Sequence, residues 1–95
     1  MNKAVLEITL KVSGADRPKA GEIYSKYKRP FLATVCGAES KDLLLRDEDV
    51  QVIHGFNSMA DAESYLGSKL FANDIVSELK PLLMADPDIR IYERQ

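Results

Sequence analysis

Residues 4–12 read AVLEITLKV, and the alternation in this stretch decides the fold class. In an extended chain Leu6 and Ile8 lie on one face, whereas Glu7 and Thr9 lie on the other. An apolar period of two predicts a β-strand with one buried face. The first element is therefore predicted to be a strand whose even-numbered side chains enter the core.

A helix is predicted to follow this strand. Asp16 is a candidate N-cap with Pro18 in the first turn. Pro30 predicts a kink or a break into two pieces, because proline lacks the backbone N–H and restricts the residue before it. The apolar residues that recur with helical spacing are Ala20, Ile23, Tyr24, Tyr27, Phe31 and Val35.

The second half of the chain predicts a hairpin, a helix and a last strand. Residues 40–46 and 49–56 form the two strands of the hairpin. Ser58 is the expected cap of the second helix, and an interruption with a new helix start is predicted near residues 71–73. Residues 88–93 alternate again and predict the final strand, with Ile89 and Ile91 facing the core.

The resulting order, β-α-β-β-α-β, predicts an α+β fold of the ferredoxin-like sandwich type. Right-handed crossover connections place both helices on one face of a four-stranded antiparallel sheet. Of the 95 residues, 45% are hydrophobic and 29% are charged. These values predict one globular domain over residues 1–95.

Composition argues against several classes of partner and cofactor. The 13 basic and 15 acidic side chains give a net charge of −2, and without a concentrated basic surface we expect no nucleic acid and no membrane as partner. No targeting segment is recognisable, and the single cysteine, Cys36, is expected to be a buried structural thiol in a cytoplasmic protein. The sequence has no nucleotide-binding motif or metal-spaced cluster, so no cofactor is expected.

The second face of the predicted sheet allows two interpretations. Its predicted apolar members are Val5, Leu44 and Ile53, and its charged and polar members include Asp42 and Arg46. An antiparallel sheet often leaves such a mixed face in solvent. Alternatively, two such faces pair across a two-fold axis and enclose a pocket, which makes the protein a homodimer.

The stretch from residue 37 to residue 68 resembles a known group of proteins. A strand that ends in Phe56 is followed by a helix capped by Ser58, with small residues, Tyr65 and then Ser68. With this pattern the chain resembles the dimeric α/β-barrel superfamily, whose best-known members are the antibiotic biosynthesis monooxygenase-like proteins. The resemblance implies a homodimer in which two sheets form a dimeric α/β barrel. It also implies a cavity between sheet and helices or within the barrel, but fold alone does not imply a reaction.

The candidate site residues fall into two groups. On the second sheet face, Glu7 and Arg90 are the candidate catalytic pair for an acidic ligand, and the alternative for them is a cross-strand ion pair. The ligand-binding candidates on that face are Tyr92, Thr9 and Lys11.

The other group belongs to the helix-covered side. His54 is the only histidine and hence a candidate acid or base, but its side chain lies on the same face of the predicted strand as those of Val52 and Phe56. A hydrogen-bonded structural position is therefore favoured for it. Tyr24, Tyr27 and Tyr65 could orient a small hydrophobic or aromatic ligand, although core packing is the commoner role of tyrosines at helical spacing.

Three classes of function remain open from the sequence. The protein could be a cofactor-independent monooxygenase that acts on a small aromatic or quinone-like compound. It could instead bind a small ligand without chemistry, as a stress-related or accessory protein, or be a purely structural dimer. A small cavity filled by side chains would favour the structural dimer.

Overall fold

The computed structural model describes residues 3–95, and its centre is a four-stranded antiparallel sheet. The strands are β1 (Ala4–Leu10), β2 (Ala38–Leu45), β3 (Val50–Phe56) and β4 (Asp88–Glu93). They lie in the order β2-β3-β1-β4, so the first and last strands are neighbours. This arrangement confirms the predicted α+β, ferredoxin-like fold.

The helices pack against the sheet. The first helix, α1, spans Arg17–Thr34. The second helical segment begins with α2 (Met59–Leu66), continues through a π-helical turn at Leu70–Ile75 and ends with α3 (Val76–Leu79). The side chains between these helices and the sheet form the core of the protein.

The two helix starts differ in how they are capped. The Ser58 hydroxyl accepts a hydrogen bond from the Asp61 backbone N–H at 3.1 Å, as predicted for an N-cap. At the start of α1, Asp16 occupies the N-cap position with Pro18 in the first turn, as predicted, but its side chain makes no capping hydrogen bond. Instead, the Ser13 hydroxyl accepts from the Asp16 N–H at 3.3 Å and caps a short 3₁₀ turn that leads into the helix.

The two predicted helix breaks have different outcomes. The helix α1 continues through Pro30 to Thr34 without a break, because Phe31 directly after the proline is completely buried and holds this turn against the sheet. In the second helical segment the predicted interruption is found, since residues 71–73 lie in the π-helical turn between α2 and α3. The predicted helix start at Asn73 is wrong, because α3 begins at Val76.

The alternation of the central strands sets the two faces of the sheet as predicted. In β3, Val50, Val52, His54 and Phe56 are all buried on the helix-covered face. The edge strand β4 is less well covered, and Ile89, which we expected in the core, is 40% exposed. The inner face of β4 is therefore covered less completely than the inner faces of β1 and β3.

An aromatic cluster joins the helices to the sheet. The Phe31 ring of α1 packs edge-on against Tyr65 of α2, with centroids 5.0 Å apart. It also contacts the rings of His54 and Phe56 in β3 at 5.2 and 5.5 Å. Tyr65 in turn contacts Phe71 of the π-helical turn at 5.2 Å. The buried ring of Phe31, which belongs to α1, thus contacts both α2 and the central sheet.

Cys36 is exposed, contrary to the prediction of a buried thiol. It follows the end of α1 at Thr34 and precedes the turn at Gly37, so its side chain lies outside the layer between helices and sheet.

The turn at Gly37 strongly favours glycine. Its φ of +77° lies in the left-handed region that other residues rarely adopt. A Cβ at this position would lie 2.8 Å from Cβ of Asp61 and closer still to its carboxylate. The close approach brings the start of β2 against the first turn of α2.

We expect Gly37→Ala to lower the free energy of unfolding by roughly 1 to 3 kcal/mol, because it combines backbone strain with a clash against α2. Gly14→Ala is the matched control, since no atom lies within 4 Å of the added methyl group. Urea denaturation of both variants measures the difference. Equal midpoints for Gly37→Ala and Gly14→Ala would show that the turn tolerates a side chain.

A candidate site between the sheet and the helices

A small cavity lies between the inner face of the sheet and the helices. Its volume is about 40 Å³, enough for water-sized molecules but well below the roughly 150 Å³ of a cavity that accepts a benzene ring. Its walls are mainly apolar. The polar or aromatic side chains that line it are Tyr24, Tyr27, Lys41, His54 and Tyr65.

His54 is held on this cavity in one tautomer. Its Nδ1 lies 3.1 Å from the Leu6 carbonyl oxygen of the neighbouring strand. A carbonyl oxygen only accepts, so Nδ1 carries the proton and Nε2 has a free lone pair. Burial lowers the pKa of His54 from 6.5 to about 4, and the nearby positive charge of Lys41 contributes to this shift. The imidazole is therefore neutral at physiological pH.

Lys41 is the functional candidate that the sequence did not reveal. It pairs directly with His54 across β2 and β3, and only 4% of its surface is exposed. A β-bulge between Ala38 and Ser40 shifts the register of β2 and so turns Lys41 toward the interior. Burial and the positive charge of Lys28 lower the pKa of Lys41 to about 8.

The tyrosines line the cavity mainly with their rings. The Tyr24 hydroxyl donates to the Lys41 carbonyl oxygen at 2.7 Å. The Tyr27 hydroxyl donates to the carboxylate of Glu78 on α3, and this bond raises the pKa of Tyr27. Burial raises the pKa of Tyr65. The structure thus brings the three predicted tyrosines together with His54 on one cavity, while two of the hydroxyls already bind protein groups.

The second group of predicted site residues lies on the opposite face of the sheet. Glu7 pairs with Arg90 across β1 and β4, and Val5 pairs with Tyr92, so their common face is as predicted. The Arg90 guanidinium, however, makes its ion pair with Asp88 at 2.9 Å.

The remaining outer residues are also separate from the helix-covered cavity. The Thr9 hydroxyl accepts from the Gln51 amide at 3.1 Å, and Lys11 is exposed at the end of β1. The candidates on this face and those at His54 therefore cannot act on one ligand, because the sheet lies between them.

Two features are absent from the part of the chain that the structure describes. Among residues 3–95, no group of three or more histidine, cysteine, aspartate or glutamate side chains is placed to hold a metal ion. None of the helices formed by these residues is both long and apolar enough to cross a membrane.

Comparison with known proteins identifies the fold. No family model and no curated protein matches the sequence. Among solved structures, a monooxygenase from the gene ActVA-Orf6 of Streptomyces coelicolor, in complex with nanaomycin D, is similar to this chain with a TM-score of 0.83 and 18% identity. The match covers 99% of this chain and 88% of the other.

Two further structures give the same result. A proposed antibiotic biosynthesis monooxygenase from Caulobacter crescentus has a TM-score of 0.83 at 16% identity, with 99% of this chain and 92% of that chain covered. A Nitrosomonas europaea protein of unknown function has a TM-score of 0.80 at 18% identity, with 99% and 90% covered. The chain therefore has the ferredoxin-like fold of the antibiotic biosynthesis monooxygenase-like proteins, which confirms the resemblance at the level of fold.

Acidification should destabilise the protein through His54. The pKa of this residue is 6.5 when unperturbed and about 4 in the folded protein. Between these values the unfolded chain binds a proton that the folded chain does not, so stability falls as the pH falls. The loss expected from this residue between about pH 7 and pH 4 is roughly 3 kcal/mol.

His54→Asn is the control for this prediction, because its amide can donate to the Leu6 carbonyl oxygen but does not titrate. Urea denaturation of both proteins over this pH range isolates the histidine contribution, since their carboxylates titrate alike. The same pH dependence in both proteins would contradict a buried neutral His54.

Proposed function

We propose that the protein is a homodimer that binds a small aromatic or quinone-like compound in the cavity at His54 and oxidises it with dioxygen, without a cofactor. The observation that carries this proposal is the fixed tautomer of His54, a residue in the wall of this mainly apolar cavity, which leaves Nε2 unprotonated. Such a site can accept a proton from a ligand while it excludes water. The similar Streptomyces coelicolor monooxygenase, in complex with nanaomycin D, is consistent with ligand binding in this fold.

The proposed reaction needs no external reductant for the reduction of dioxygen. An activated CH₂ group of a conjugated compound loses a proton toward Nε2 of His54, and the delocalised carbanion transfers electrons to dioxygen. One oxygen atom becomes the carbonyl oxygen of the product, and the other leaves as water with the two hydrogens of the CH₂ group. The substrate supplies all the electrons, and the protein supplies the proton acceptor and the apolar enclosure.

The small size of the cavity favours a second candidate, the purely structural dimer. At about 40 Å³ the cavity must widen before it can accept an aromatic ring. Leu79, Ile75 and Tyr27 line its helical side and would have to move. If the cavity never opens, the inner face serves only for packing.

Oxygen uptake with a panel of anthrones and hydroxynaphthalenes tests the reaction. We expect His54→Asn to reduce the rate by about 10²- to 10⁴-fold, the usual contribution of a general base. Arg90→Ala should leave the rate unchanged, because its side chain lies on the other face of the sheet.

The same assay tests the outer-face alternative. If Arg90→Ala or Glu7→Gln abolishes turnover while His54→Asn does not, the reaction belongs to the face that carries Glu7, Arg90 and Tyr92. Absence of turnover by the wild-type protein with every compound would contradict the enzymatic proposal.

The homodimer is proposed from the outer face of the sheet. Leu44 is 49% exposed and Tyr92 is 45% exposed there, next to the half-buried Val5 and Ile53. Two copies of such a face can bury these side chains against each other across a two-fold axis.

Light scattering at micromolar concentration should give twice the protomer mass of 10.6 kDa. Leu44→Asp should yield a monomer, because it places a charge in the proposed interface. Leu45→Asp is the matched control, since the adjacent side chain points to the other face and is already 64% exposed. A wild-type mass of 10.6 kDa at high concentration would refute the dimer.

A further inference from the structure

Lys41 is a buried cation without a counter-charge. None of the ion pairs formed within residues 3–95 includes it. Its Nζ instead lies over two rings, 5.3 Å from the centroid of Phe31 and 5.8 Å from that of Tyr24. Buried lysines are nearly always paired, so the absence of a carboxylate at this position calls for an explanation.

The side chains around Lys41 only partly offset the free-energy cost of removing its ammonium group from water. The rings of Phe31 and Tyr24 attract the ammonium through their π-faces. The positive charge of Lys28 also acts on it and is repulsive. A bound anion would supply the negative charge that the side chains around Lys41 do not provide.

The groups that face this position determine which anion fits. His54 offers only a lone pair from Nε2, which repels a second anionic oxygen and accepts a hydrogen. The rest of the wall consists of aliphatic side chains and three tyrosines, so a ligand with one acidic oxygen on a flat apolar body is favoured over a polyanion. The titratable groups that line the cavity with Lys41 are Tyr24, Tyr27, His54 and Tyr65, and the positive charge of Lys28 acts on it from α1.

We propose that Lys41 is the anion-binding residue of the cavity and that its ligand is a small phenol or enol bound as the oxyanion. This proposal rests on the proposed function, because it uses the same site. It concerns only the binding of the ligand, however, and holds even if the protein catalyses no reaction. It also supports the proposed reaction, because an ammonium beside the ligand oxygen stabilises the charge that forms when the conjugated compound loses its proton.

The test uses 4-nitrophenol, whose anion is yellow and whose neutral form is nearly colourless. Its absorbance in the presence of excess protein, measured over a range of pH, gives the pKa of the bound phenol. We expect this pKa to lie about one unit or more below that of the free phenol, which equals a tenfold or greater preference for the anion. The neutral ether 4-nitroanisole, which cannot ionise, should bind at least about tenfold more weakly.

Two lysine variants locate the effect. Lys41→Met retains the shape of the side chain and should abolish the pKa shift of the bound phenol. The affinity for 4-nitrophenol should fall at least about tenfold at neutral pH. Its urea midpoint should not fall, because the substitution removes a desolvated charge. Lys28→Met removes the neighbouring cation of α1 and should retain most of the shift.

The cavity must widen for the ring, so the titration is also made with Leu79→Ala, which removes part of the helical wall. This variant should bind 4-nitrophenol more tightly and still as the anion. The proposal is overturned if neither protein binds 4-nitrophenol, if the phenol is bound in its neutral form, or if Lys28→Met abolishes the shift as completely as Lys41→Met. Anion binding without oxygen uptake by any compound would instead remove the proposed reaction and leave the role of Lys41 intact.

Discussion

The packing of the Phe31 ring against Tyr65, His54 and Phe56 is the contact on which the rest of the structure depends. These four side chains belong to α1, α2 and β3, and each is almost completely buried. Edge-to-face aromatic contacts hold rings at defined angles, so they fix where each helix lies on the sheet. They also explain why α1 continues beyond Pro30: the burial of Phe31 outweighs the loss of one backbone hydrogen bond.

This cluster has an electrostatic consequence for the side chains beside it. By surrounding His54 with hydrocarbon it keeps the imidazole neutral, and the Leu6 carbonyl oxygen then selects the tautomer. Lys41 lies on the same wall but has only aromatic faces as partners. A proton acceptor and a cation side by side in an apolar cavity are costly for stability. Such an arrangement is typical of sites that bind and polarise a ligand.

The sequence was sufficient to predict the fold and the position of His54, but it did not reveal Lys41. Period-two alternation in β1 and β3 identified the inner face, including the buried and hydrogen-bonded position of His54. Lys41 was missed because residues 38–45, AESKDLLL, do not alternate, and because the β-bulge that turns this lysine inward depends on pairing with β3. The tautomer of His54 and the pairing of Arg90 with Asp88 likewise depend on distances between atoms, which no sequence pattern encodes.

The proposed ligand site lies between the sheet and the helices, at Lys41 and His54. A crystal structure of the protein soaked with 4-nitrophenol tests it most directly. We expect density for the ring in this cavity, with the phenolate oxygen within hydrogen-bonding distance of Lys41 Nζ and with Leu79 and Tyr27 displaced. A ring bound instead on the outer face at Glu7, Arg90 and Tyr92, above an unchanged inner cavity, would contradict this position of the site.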